Sequence, residues 1–103
     1  MISKFLEKRV EIECGESGYQ KENILELEYY LLESVTDAVD DNGVHKTYGV
    51  EIKKKQQGVL GESSHFKNVF PSREKTMSLV ELLAEQTVTP STLAYVMDDL
   101  LGM

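Results

Sequence analysis

The stretch Ile-Leu-Glu-Leu-Glu-Tyr-Tyr-Leu-Leu-Glu-Ser, residues 24–34, decides the fold of this chain. Leu25, Leu27, Tyr29 and Leu31 occupy every second position, and polar residues or Tyr30 stand between them. A period of two is typical of a strand with one buried face. In a helix the same apolar residues would spread around more than half of the cylinder, with no polar side opposite them. The pattern therefore predicts the central strand of a sheet.

A first strand precedes the central strand. Residues 5–14 alternate loosely, and Lys8 interrupts their apolar side. The segment Gly15-Glu16-Ser17-Gly18 has the composition of a turn, so the two strands should form a hairpin. A hairpin centred there predicts four cross-strand pairs: Ile12 with Leu25, Val10 with Leu27, Leu6 with Leu31, and Arg9 with Glu28.

A third strand is predicted from Val44 to Lys54, after a turn signal at Asn42-Gly43. Gly49 leaves a gap in this strand, and Tyr30 is the side chain that we expect to cover it. A fourth, weaker strand from about Val59 to Val69 has poor alternation. We expect it to be an edge strand or a partly irregular ladder.

The pattern changes to a helical period after Pro71. Ser72 is a suitable N-cap for a helix that reaches about Gln86. Thr89 and Pro90 are typical of the start of a second helix, and Gly102 is typical of its end. The apolar stripe of this second helix is the clearest in the chain: Leu93, Val96, Met97, Leu100 and Leu101.

Strands followed by helices predict an α+β fold, with an antiparallel meander of three to four strands and the two C-terminal helices packed on one face. We expect residues 1–103 to form a single domain, because this length supports one hydrophobic core. The predicted core lies between the sheet and the helices. Its sheet residues are Val10, Ile12, Leu25, Leu27, Tyr29, Leu31, Tyr48, Val50 and Ile52, and its helix residues are Val80, Leu83, Leu93, Val96, Met97 and Leu100.

Charge is unevenly distributed along the chain. Residues 1–43 carry 4 basic and 11 acidic side chains, residues 44–75 carry 7 and 3, and residues 76–103 carry 0 and 4. The total of -7 disfavours nucleic acid as a partner, because an acidic domain repels phosphate. No apolar run is long enough to cross a membrane, and the single cysteine, Cys14, allows no internal disulfide. These features predict a cytoplasmic protein without a membrane partner.

The sequence motifs favour neither a metal site nor an active site. With Gly43 at the glycine position of a calcium loop, Ala38 would stand at the first ligand and Gly49 at the bidentate glutamate, so the motif fails. His45 and His65 have no partner at ligand spacing, and the inward side of its strand predicts a buried, inert Cys14. The segment Gly58-Val-Leu-Gly61 lacks the lysine of a phosphate loop. We therefore expect no catalytic, cofactor or metal residues, and an enzyme is disfavoured.

Three segments resemble a family of short bacterial proteins, from clostridia-like organisms, that is classed as a domain of unknown function. They are Tyr29-Tyr30-Leu31-Leu32-Glu33, Tyr48-Gly49-Val50-Glu51-Ile52, and Val88-Thr89-Pro90 followed by Leu93, Val96, Asp99 and Leu100. The resemblance implies a bacterial cytoplasmic protein. It implies no substrate, cofactor or catalytic residue.

The predicted function is a protein-interaction or regulatory module without catalytic activity. Tyr30 and Leu32 must point away from the helices, where they would form an apolar centre with a charged rim of Glu26, Glu28, Glu51 and Lys53. This face could bind a protein partner or a second copy of the chain. The alternative for the face is that Tyr30 only shields Gly49 and Leu32 is an ordinary exposed leucine. The alternative function is a nucleic-acid-associated regulator that uses the basic middle segment, including Lys53, Lys54 and Lys55, with the C-terminal helix pair.

Overall fold

The computed structural model describes residues 2–13, 24–40, 43–56 and 58–101, and in these residues the chain forms an α+β fold. The elements are β1 (Ile2–Glu13), β2 (Ile24–Asp40), β3 (Gly43–Gln56), β4 (Val59–Phe70), α1 (Arg73–Glu85) and α2 (Pro90–Leu101). The strands form an antiparallel meander in the order β1-β2-β3-β4. The predicted fold class is confirmed, and so is the fourth strand. The predictions for Cys14, the turn at 15–18, Asn42 and Gly102 lie outside the described residues.

The pairing of β1 with β2 has the predicted register only in the half nearer Glu13 and Ile24. There the predicted partners of Val10, Ile12 and Arg9 are confirmed. The predicted pairing of Leu6 with Leu31 is wrong: Leu6 pairs with Tyr30, and Phe5 pairs with Leu31. The cause is a β-bulge at Glu7, which adds one residue to β1 and reverses its alternation. Leu6 therefore belongs to the face away from the helices, where it is exposed.

The pairing of β3 with β4 is also irregular near Gly49, over a longer stretch than the bulge at Glu7. Tyr48 pairs with Phe70 and Val50 pairs with Phe66, so three residues of β4 stand opposite one residue of β3. Asn68, in the middle of these three, has a left-handed backbone (φ 56°). The Thr47 hydroxyl donates a hydrogen bond to the Asn68 side-chain oxygen. This bond connects the bulge to the neighbouring strand.

The N-terminal end of α1 has the cap that the sequence predicted. The Ser72 side chain accepts a hydrogen bond from the Lys75 backbone N–H at 3.3 Å, as an N-cap does. At the other end of α1 the Val88 and Thr87 N–H groups donate to the carbonyls of Leu83 and Ala84, which is the Schellman pattern. Thr87 has a φ of 53° at a position where glycine is usual, so the connection to α2 is strained.

The core lies between the sheet and the two helices, as predicted. Ten buried residues form its main cluster: Leu27, Tyr29, Val50, Ile52, Leu79, Val80, Leu83, Val88, Leu93 and Met97. Leu31 and Tyr48 are also buried but lie outside this cluster. The predicted core position of Leu100 is wrong, because Leu100 is 46% exposed. Its side chain lines a groove beside α1 instead of packing on the sheet.

Candidate functional site

The six residues of the predicted interaction face lie together on the side of the sheet away from the helices. In β2 they alternate with the core residues, and in β3 Glu51 pairs with Tyr30 and Lys53 pairs with Glu28. The parity of the central strand therefore brings together the residues that the sequence grouped: Tyr30, Leu32, Glu26, Glu28, Glu51 and Lys53. We call this surface the sheet face.

All three glutamates of the sheet face take part in ion pairs. Arg9 approaches Glu26 to 2.8 Å, and Lys55 approaches Glu28 to 3.1 Å. Lys4 Nζ lies 2.8 Å from Glu51 Oε2 and 3.2 Å from Oε1. The pairs of Arg9 with Glu26 and of Lys55 with Glu28 connect neighbouring strands, and the pair of Lys4 with Glu51 connects β1 to β3 across β2. The pairs stabilise the sheet and leave these charges engaged with one another.

The prediction that Leu32 contributes to an exposed apolar centre of the sheet face is wrong. This side chain is only 2% exposed, in a depression of about 200 Å³ that is also lined by Ile2, Lys4, Glu51, His65 and Lys67. The register of β1 explains why Leu32 is buried and not exposed, because the bulge at Glu7 places Lys4 directly opposite Leu32. The long lysine side chain then reaches across β2 to Glu51 in β3. Leu32 therefore offers almost no apolar area to a partner.

Tyr30 does not cover Gly49 by direct pairing, since Leu32 is the residue opposite Gly49. The Tyr30 hydroxyl donates a hydrogen bond to Glu28 Oε1 at 2.9 Å, and the Lys53 ammonium lies 5.1 Å from the centre of the Tyr30 ring. Both contacts stabilise a half-buried position of the ring. Burial and the bond to Glu28 raise the pKa of Tyr30 to about 12.

Glu28 is a buried carboxylate in this network, with 7% of its surface exposed. Burial favours its protonated form, but hydrogen bonds from Tyr30 and Lys55 and the charges of Lys55 and Arg9 outweigh burial. The pKa of Glu28 is therefore lowered, and the group is a carboxylate at neutral pH. An ionised, fully engaged carboxylate is poorly suited to proton transfer.

A second surface, which the sequence interpretation missed, is a groove between the two helices. The groove has a volume of about 650 Å³ and is open along one side. Its lining comes from the second half of α1, the connection and the outer side of α2: Leu82, Leu83, Gln86, Thr87, Val88, Thr92, Tyr95, Val96, Asp99 and Leu100. We call this surface the helix groove.

The helix groove exists because α1 and α2 do not pack against each other. In the part of the chain that is described, no Cα atom of α1 lies within 8 Å of a Cα atom of α2. Each helix packs on the sheet instead, α1 across all four strands and α2 on β3 and β4. Three apolar side chains consequently remain exposed along the groove: Leu82 at 37%, Leu100 at 46% and Tyr95 at 75%.

Only a weak signal for the helix groove was present in the sequence. Leu100 continues the apolar stripe of α2, so the sequence pattern predicts a core position for it. Tyr95 lies outside that stripe, which indicates an exposed aromatic residue. The stripe by itself does not indicate that α1 lies too far from α2 to cover Leu100.

The described residues contain no group of three or more histidine, cysteine, aspartate or glutamate side chains that could hold a metal ion. Among the helices they include, none has the length and apolar character that crossing a membrane requires.

A family model described as "Family of unknown function (DUF6514)" matches residues 8–103, and the chain belongs to this family. No curated protein and no solved structure matches the chain.

Proposed function

We propose that this member of DUF6514 is a non-catalytic protein-interaction module and that it binds its partner in the helix groove. One observation carries the proposal: the exposed side chains of Leu82, Tyr95 and Leu100 lie around one open groove. Clustered apolar area on a protein of this size is typical of a binding surface. Aromatic side chains such as Tyr95 are also enriched at the centres of interfaces.

The charges of the sheet face support the choice of the helix groove. A partner that docked on the sheet face would have to break or desolvate the pairs of Lys4 with Glu51 and of Lys55 with Glu28. Removing paired charges from water costs free energy that the contact must recover. The groove has one charged lining residue, Asp99, so docking there requires less desolvation. A bacterial cytoplasmic setting is part of the same proposal.

The test is affinity capture from the native host with quantitative mass spectrometry, using matched variants. Tyr95→Ser with Leu100→Ser removes the apolar rim of the helix groove. Val59→Ser with Leu60→Ser removes a similar amount of exposed apolar area from the edge strand β4 and serves as the control. All four side chains are exposed, so both variants should keep the circular dichroism spectrum of the wild type.

We expect the groove variant to lose a protein that the wild type and the β4 control both retain. Identical capture by all three proteins would contradict the proposal. A third variant, Lys53→Ser, reports on the sheet face. Loss of the partner in this variant alone would show that the partner binds the sheet face and not the helix groove.

A further inference from the structure

We infer that the occupant of the helix groove is a positively charged amphipathic helix of another protein. The inference rests on the proposed function and identifies the chemistry of the partner.

The two helices carry five acidic and two basic side chains, and both basic residues, Arg73 and Lys75, lie in the first turn of α1, whereas the groove is lined by its second half. Residues 76–103 contain 4 acidic and 0 basic side chains. Asp99 lines the groove itself. The C-terminal end of α1 also opens onto the groove at Gln86 and Thr87, and no basic residue lies in the last turn of this helix. The partial negative charge of this helix C-terminus is offset by the partial positive N-terminus of α2, whose first-turn residue Thr92 also lines the groove. The charge of Asp99 therefore makes the groove electronegative and complementary to a cation.

This charge argues against a second copy of the chain as the occupant. A symmetric dimer places the same surface on both sides of the interface. The electronegative groove of one copy would then face the electronegative groove of the other, and facing like charges oppose association. The basic segment of a second copy is a poor substitute, because Lys55 is paired with Glu28 and Lys53 lies over Tyr30.

The spacing of the helices indicates a helical occupant. Helices in direct contact, with axes about 8–10 Å apart, bring Cα atoms of the two helices within about 8 Å of each other. α1 and α2 have no such pair of Cα atoms in the described residues, so they are not in direct contact. A third helix in the gap could pack against both. Its apolar anchors at i, i+3 or i+4 and i+7 would meet Leu82 on one side and Tyr95 and Leu100 on the other. A small molecule fits less well, because an open groove does not enclose it.

Two synthetic peptides test the inference by fluorescence anisotropy. Both have the same leucine stripe over about 14 residues, or four turns, and their polar faces are all lysine or all glutamate. The wild type is compared with Asp99→Lys and Asp98→Lys. These neighbours in α2 are both exposed and undergo the same change of charge, but only Asp99 lines the groove.

We expect the lysine peptide to bind the wild type and Asp98→Lys similarly, and Asp99→Lys about tenfold more weakly, because the reversed charge faces the peptide. The Tyr95→Ser and Leu100→Ser double variant should also lose binding, and the glutamate peptide should bind none of the proteins. Equal binding of both peptides, no binding of the lysine peptide, or equal losses in the two aspartate variants would overturn the inference.

The two tests fail independently of each other. Groove-dependent capture of a cellular partner together with no binding of the lysine peptide would reject the basic helix and leave the proposed function in place. Capture that does not depend on the groove would reject the proposed function itself.

Discussion

Gly49 shows how a single residue can decide the pairing of two strands. A Cβ atom built on Gly49 would lie 2.0 Å from the Phe66 carbonyl oxygen and 2.9 Å from the Lys67 Cα atom. Both atoms belong to the backbone of β4, so a rotation of side chains cannot relieve the overlap. The glycine is therefore required by the close approach of the bulged strand, and the gap that the sequence indicated is filled by backbone and not by an aromatic ring.

We predict that Gly49→Ala destabilises the protein by at least about 1–3 kcal/mol, the usual cost of forcing extra atoms into a packed site. Gly61→Ala is the matched control in the neighbouring strand, because its Cβ would meet only the Lys54 carbonyl oxygen at an ordinary 3.6 Å. The control should be neutral or slightly stabilising, since glycine weakens a strand relative to alanine. Urea denaturation of both variants measures the difference, and equal stabilities would show that β4 does not approach Gly49 as described.

At the scale of elements, Tyr29 connects the central strand to the helix pair. Its hydroxyl donates a buried hydrogen bond of 2.9 Å to the Val88 carbonyl, in the connection between α1 and α2. This contact joins residues 59 positions apart. Burial raises the pKa of Tyr29 from 10.0 to about 12, because the phenolate is disfavoured inside the core.

The raised pKa predicts how the contribution of Tyr29 to stability depends on pH. Below pH 10 the hydroxyl is protonated in the folded and unfolded states, and the hydrogen bond contributes fully. Between pH 10 and about 12 the unfolded state loses this proton while the folded state keeps it, so stability falls as pH rises. Tyr29→Phe removes both effects.

We therefore expect Tyr29→Phe to be less stable than the wild type at neutral pH, by about 1–3 kcal/mol, since the Val88 carbonyl is left unpaired in the core. The difference between the two proteins should shrink as pH rises from 10 to 12. Denaturation curves at several pH values measure it, and Tyr30 is present in both proteins, so its titration cancels. A difference that does not depend on pH would show that Tyr29 is not buried as the structure has it.

For the whole molecule, the length of the sheet relative to the helices decides where the core can form. The 17 residues of β2 extend over about 56 Å, whereas the 13 residues of α1 cover about 20 Å. The molecule is accordingly elongated, with extents of 62 × 27 × 19 Å. A helix pair of this length covers only part of one sheet face. In the described residues, the opposite face carries ion pairs between side chains instead of a second layer of helices or strands.

The same distribution of charge leads to a prediction about nucleic acid. Lys53 and Lys55 of the basic middle segment are engaged with Tyr30 and Glu28, and the helix pair is acidic. We expect no binding of labelled duplex DNA or single-stranded RNA at micromolar protein and low salt. Binding that weakens steeply with added salt, and that disappears when Lys53, Lys54 and Lys55 are replaced by glutamine, would support the nucleic-acid alternative.

Local signals in the sequence determined the elements and the side of the central strand that is buried. The period of two from Leu25 to Leu31 predicted β2, Ser72 predicted the start of α1, and Pro90 predicted the start of α2. Each of these signals depends on residues within a few positions of one another, because alternation, capping and a fixed proline φ are properties of the local backbone. The grouping of the sheet-face residues followed from the same alternation.

Tertiary structure alone decided the details that bear on function. The burial of Leu32 depends on Lys4 from one neighbouring strand and Glu51 from the other, after a bulge at Glu7 that no local pattern indicated. The helix groove depends on the distance between α1 and α2, which is set by how each helix packs on the sheet. Sequence periodicity defines which side of an element is apolar, but whether a neighbour covers that side depends on contacts between residues far apart in the chain.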